Sequence, residues 1–202
     1  MDIQAVIKNL NGRGFSAEYC ENGAAAKARA LEIIGQKSTG FGGSMTVDGL
    51  GLYETLQAEG KEAYYHLKKP AEERVAERNR ALQADVYICS VNALLADGRL
   101  VNIDGTGNRL SGTIYGPKTV IVIAGRNKIV EGTLDDAIAR VKVVACPLNA
   151  RRLGRKTPCA LTGKCADCHT KERICAVTSV HEMPTKHQEK FYVLVTDEDM
   201  GY

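Results

Sequence analysis

Residues 119–125 read TVIVIAG, five β-branched side chains in succession followed by Ala and Gly, with no charge and no proline. β-Branched residues are stiff at χ1 and fit a pleated backbone. A short apolar run that does not alternate with polar residues describes a strand buried on both faces, the usual state of a strand in a parallel sheet. Such a strand needs helices above and below it, so this run alone points to an α/β protein.

The flanking sequence supplies those elements. Ile3, Val6, Ile7 and Leu10 fall at helical spacing and stop at Gly12 and Gly14. FSAEYC then reads as a strand and NGAAAKARALEIIG as a second helix ending at Gly35. Ser44 and Thr46 open a helix expected to run to Glu59. AYYHL predicts a strand, PAEERVAERNRALQA a helix with Pro70 in its first turn, and DVYICS a buried strand. Asp97-Gly98 inside ALLADGRLVNID is a hairpin signal. Thr133 caps a helix with Asp135 and Asp136 in its first turn, which Pro147 interrupts or follows with another, and FYVLV is a last strand. The expectation is a Rossmann-like open, mostly parallel sheet with one local hairpin, formed as a single domain over residues 1–202 with a cysteine-rich segment at 158–176.

Charge and composition exclude some functions. A net charge of +3 spread over mixed Lys and Glu makes no basic stripe, and aromatics are 5% of residues with no Trp, so nucleic acid is not the expected partner. The start MDIQAVIKNLNGRG has no basic region followed by an apolar segment, and no stretch approaches the ~18 apolar residues of a membrane span. A cytoplasmic protein follows, in a compartment where stable disulfides are rare.

In an open α/β sheet, ligands sit beyond the carboxyl ends of the strands. Three segments fall at such ends: Gly42-Gly43-Ser44, Ser90 to Asn92, and Asp104 to Arg109. The glycines, with Ser44 and Thr46 at a helix start, could cradle a phosphate or carboxylate, or form an ordinary turn in which Ser44 is the cap. Asp104 is a candidate base or a loop cap, and Asp97 a hairpin residue. Arg109 could grip a carboxylate bidentately or serve an edge salt bridge. His66 has no second ligand at a metal-binding interval and reads as a packed or surface histidine.

GFGGSMTVDGLGLYETL, SVNALLADGRLVNIDGTGNRLSGTIYGPKTVIVIAGRNKIV and TPCALTGKCADCHTKERIC together resemble the LUD-domain family, named for lactate utilisation, in its short form with a cysteine-rich C-terminal segment. The resemblance spans about residues 15–195. It implies a fold like that of sugar-phosphate isomerases and CoA transferases, and an association with oxidation of lactate to pyruvate beside iron–sulphur partner subunits. A homodimer is compatible with it. The positions it places at a ligand crevice are Gly42, Gly43, Ser44, Thr46, Asn92, Asp104, Gly105, Gly107, Asn108 and Arg109. SVNALLADG lacks the glutamate that a CoA transferase uses as nucleophile, so classical CoA transfer is disfavoured.

Cys159, Cys165, Cys168 and Cys175 are spaced C-x5-C-x2-C-x6-C. Four thiolates suit zinc or an iron–sulphur cluster, and Lys164, Lys171 and Arg173 would offset their charge. Unliganded or disulfide-forming thiols are the other reading. The family's redox association favours a [4Fe-4S] cluster over zinc. His169 reads as a polar neighbour, Cys146 as an extra ligand or a buried hydrophobe, and Cys20 and Cys89 as buried. Function is then either a redox-associated protein of hydroxy-acid metabolism binding a small anion, or a non-redox enzyme or binding protein for an anionic sugar or acyl compound, with structural zinc.

Overall fold

The computed structural model describes residues 2–202. In chain order the strands are β1 (Ser16–Cys20), β2 (Thr39–Phe41), β3 (Ala63–Tyr64), β4 (Val86–Cys89), β5 (Ala93–Leu95), β6 (Leu100–Asp104), β7 (Thr119–Gly125), β8 (Ile129–Val130), β9 (Val177–His181) and β10 (Lys190–Thr196). The α-helices are α1 (Ile3–Gly12), α2 (Gly23–Ile34), α3 (Met45–Gly49), α4 (Leu52–Ala58), α5 (Arg74–Leu82), α6 (Asn108–Ile114), α7 (Leu134–Arg140), α8 (Cys146–Arg152) and α9 (Pro158–Thr162).

Six strands pair in the order β1-β10-β7-β4-β2-β3, all parallel, as the open Rossmann-like expectation required. The TVIVIAG run is β7, buried along its whole length between β10 and β4. Its side chains alternate between two cores. Val120, Val122 and Ala124 meet Leu10 of α1 and Phe191, while Ile121 and Ile123 meet Ala30 of α2 and Leu52 of α4. FYVLV is indeed a strand, β10, and it lies inside the sheet between β1 and β7.

The hairpin at Asp97-Gly98 forms between β5 and β6, with Gly98 at φ +92°, the left-handed conformation such a turn requires. It belongs to a second sheet, β8-β5-β6-β9, in which β6 pairs antiparallel with both β5 and β9. The sequence does not announce β9, because VTSVH has only its last residue buried. Leu95, Val101 and Ile103 of this sheet pack on Ala137 of α7, Val141 and Cys146.

Two helix expectations are corrected. The helix from Ser44 to Glu59 is broken into α3 and α4 by Gly51, which sits at φ +62°. Pro70 precedes a 3-10 turn, Ala71–Glu73, and the α-helix begins only at Arg74. Thr133 caps α7 as expected, its side chain and that of Asp136 forming a reciprocal capping box. Pro147 stands in the first turn of α8, after a π-helical turn at Val141–Ala145. No helix among the described residues is long and apolar enough to cross a membrane.

Ile121→Ala removes a fully buried side chain from the central strand and is expected to cost about 2–5 kcal/mol in urea unfolding. Val75→Ala, at a site 63% exposed, should stay within about 0.5 kcal/mol.

Candidate functional site

A cavity of ≈380 Å³ opens where β2, β4 and β7 end, closed on its far side by α8 and the cysteine segment. Of the residues expected at a crevice, Gly43, Ser44, Thr46 and Asn92 line it from the first two strand ends. Asp104, Gly105, Asn108 and Arg109 line it from the second sheet, since β6 belongs there. Gly42 and Gly107 shape the loops without lining the cavity. Ser44 caps α3, its Oγ accepting from the Val47 amide at 3.3 Å. The cap reading of the Gly-Gly-Ser loop therefore holds, and it is compatible with a place on the cavity wall.

Asp104 acts as a loop cap. Its Oδ1 accepts from the Gly105 amide at 2.9 Å, and its Oδ2 from the amides of Arg109 at 3.2 Å and Leu110 at 3.4 Å. Both oxygens are thereby directed at backbone. Asp97 pairs with Arg99 at 2.7 Å in the hairpin and does not line the cavity. Arg109 is buried, 9% exposed, and makes no salt bridge among the described residues. Its Nη2 donates to Asn92 Oδ1 at 2.8 Å and to the Ile103 carbonyl at 2.9 Å. Nε and Nη1 have no partner among the described residues.

Lys128, just past β7, lies on the cavity floor and escaped the sequence reading. Its Nζ donates to Thr46 Oγ1 at 2.7 Å and Ser90 Oγ at 2.8 Å, with no carboxylate in reach. Burial, together with the guanidinium groups of Arg109 and Arg140, pushes it down to about 7. The available signal was a lysine three residues after the most buried strand of the chain, in GRNKIV. His66 also lines the cavity, where burial and then Arg78 and Arg74 push it down to about 4, so it is neutral. Its Nδ1 is buried without a partner.

The wall opposite the sheet carries more cations. Arg152, Arg155, Lys171 and Arg173 line it, and α5 contributes Arg74 and Arg78. With Arg109 and Lys128 these make eight cations, against the two carboxylates Asp104 and Glu172. Among the described residues only Arg173 has an acidic partner, Asp167 at 2.9 Å. Arg152 is bonded to the neutral groups Asn149 Oδ1 and Tyr202 Oη, and Arg78 Nε is buried and unpaired. Away from the cavity several arginines have acidic partners, Arg29 with Glu18, Arg99 with Asp97 and Arg126 with Asp199, whereas Arg140 and Arg151 bond backbone carbonyls.

All seven cysteines are free thiols, with Cys20, Cys89 and Cys146 buried. Among the described residues no group of three or more His, Cys, Asp or Glu is arranged to hold a metal ion. Burial raises Cys146 to about 12, with the charges of Cys175, Cys159 and Cys165 adding to the rise, and Cys175 packs against the apolar cluster that holds Cys146. Arg173 ties the loop, donating to the carbonyls of Cys168 at 2.7 Å and Cys175 at 2.8 Å. Gly105 meets this segment directly, since a Cβ there would lie 2.8 Å from the Ile174 carbonyl oxygen. Two residues beyond Ile174, the Ala176 amide donates to the Asp104 carbonyl at 3.0 Å.

The family model described as LUD domain matches residues 3–196. A DUF162 family protein of Deinococcus radiodurans, known from its crystal structure, superposes with a TM-score of 0.57 at 12% identity, over 96% of this chain and 95% of that one. At that identity the likeness is one of fold. The comparison with curated proteins returns no match.

Lys128 keeps its ordinary value near 10.5 when unfolded and falls to about 7 when folded. Between those values the unfolded chain holds a proton that the folded one lacks, so this group's penalty is complete below pH 7 and fades as pH rises. Lys128→Met should therefore melt above the wild type at about pH 6.5, by a margin that shrinks toward about pH 9.5 in thermal denaturation.

Proposed function

The chain belongs to the LUD domain family, and from that premise we propose that its crevice binds a small anionic substrate of lactate or related hydroxy-acid metabolism. The observation that carries this reading is the set of cations left without acidic partners around one cavity at the strand ends. Holding like charges together costs free energy in the empty protein, and an anion removes that cost. Arg109 offers a carboxylate its unused guanidinium edge, and Lys128 supplies a second positive charge beneath it.

The cysteine segment forms one wall of this crevice. We propose for it a thiolate-bound centre, a [4Fe-4S] cluster that would serve electron exchange with iron–sulphur partner subunits. Support comes from the packing of Cys175 against the cluster that holds Cys146 and from the cations Lys171 and Arg173 on the same segment. Among the described residues the donors are not closed around a point. In the second reading zinc holds this wall, and the crevice acts on an anionic sugar or acyl compound without redox chemistry.

Thermal denaturation at low salt, with chloride, L-lactate, pyruvate and inorganic phosphate as probes, tests the crevice. At least one of these anions should stabilise the protein, by an amount that falls as salt is raised and largely disappears in Arg109→Gln. A flat response to every anion would sink the reading. For the thiols, protein purified without oxygen should be brown with stoichiometric iron, and Cys165→Ser should lose the colour. Colourless protein holding one zinc selects the second reading.

A further inference from the structure

The number and placement of the unpaired cations carry the crevice reading one step further. They fall into two sets. A floor set consists of Arg109, in the first turn of α6 after β6, and Lys128, in the 3-10 turn after β7. A rim set comes from three other places: Arg74 and Arg78 on α5, Arg152 at the end of α8 with Arg155 just beyond it, and Lys171 on the cysteine segment.

A monocarboxylate such as lactate has one negative charge. Seated on Arg109 it would leave the rim cations as they are. Balancing the cysteine thiolates accounts for Lys171 and Arg173 at most, because Arg74 and Arg78 stand on a helix that packs against β2. Structural ion pairing accounts for none of the rest, since among the described residues no carboxylate reaches them. The cavity's eight cations against two carboxylates exceed the +3 of the whole chain, so the rest of the chain is acidic on balance and positive charge is concentrated at one place. A phosphoryl group brings ≈ −1.5 to −2 of charge and three acceptor oxygens, which suits several converging guanidinium groups better than one carboxylate does.

We propose that the substrate is a phosphorylated hydroxy acid, with its carboxylate on the floor set and its phosphoryl group on the rim set. This rests on the anion-binding reading above and narrows it to a class. The cavity, at ≈380 Å³, lies within the range of small-ligand pockets, and both sets of cations line it.

Calorimetric titration of the full chain at low salt tests this with D-3-phosphoglycerate, L-lactate and inorganic phosphate as probes. Phosphoglycerate should bind at least ~10-fold more tightly than either of the other two, because only it engages both sets. The double variant Arg152→Ala/Arg155→Ala should lose most of that advantage, whereas Arg29→Ala, outside the cavity and paired with Glu18, should keep it. Lactate binding as tightly as phosphoglycerate, or a rim variant that keeps the full advantage, would overturn the proposal and leave the anion-binding reading standing. Binding of none of the three would remove both. Circular dichroism of the double variant, compared with wild type, separates lost binding from lost fold.

Discussion

The amine of Lys128 is the point on which this architecture turns. It stands just beyond β7 and is tied to Thr46 Oγ1, beyond β2, and to Ser90 Oγ, beyond β4. Two hydrogen bonds thus fasten three neighbouring strand ends around one buried nitrogen. Neither partner is an acid, so the protein holds the nitrogen in place without giving it a counter-charge. Stability is given up at this position, the trade that binding sites commonly make.

The second layer follows from how that floor is walled. The parallel sheet supplies the base, and the antiparallel sheet brings Asp104 to its edge, where the carboxylate is consumed in capping α6. With Asp104 so occupied, Arg109 is left facing the cavity without a counter-charge. Asn92 helps to aim it, its Oδ1 accepting from both Arg109 Nη2 and the Ile103 amide.

The parallel sheet was legible because burial on both faces leaves a compositional mark. TVIVIAG and DVYICS carry no polar alternation, and they became β7 and β4. The hairpin was legible from Asp-Gly. The second sheet was not, since β9 has the mixed composition of an edge strand and finds its partner β6 more than seventy residues away in sequence. In the crevice, the glycine and serine loops could be read from residue type, because caps and close approaches demand particular residues. Lys128 and the rim arginines could not. A lysine or arginine looks the same in sequence whether solvent or a cavity surrounds it, and only the absence of acids nearby in space distinguishes the two. Cysteine spacing marks a run along the chain but says nothing of Cys146, which lies outside the run and shares a packed cluster with Cys175.

Gly105 touches the backbone of Ile174, and the next turn of chain hydrogen-bonds Ala176 to Asp104. Cys175 lies between those two fastenings. A shift of its main chain would therefore bear directly on the loop that begins the helix carrying Arg109. The cysteine segment and the arginine-bearing wall of the cavity are held to each other through main chain, so neither can move far without straining the other.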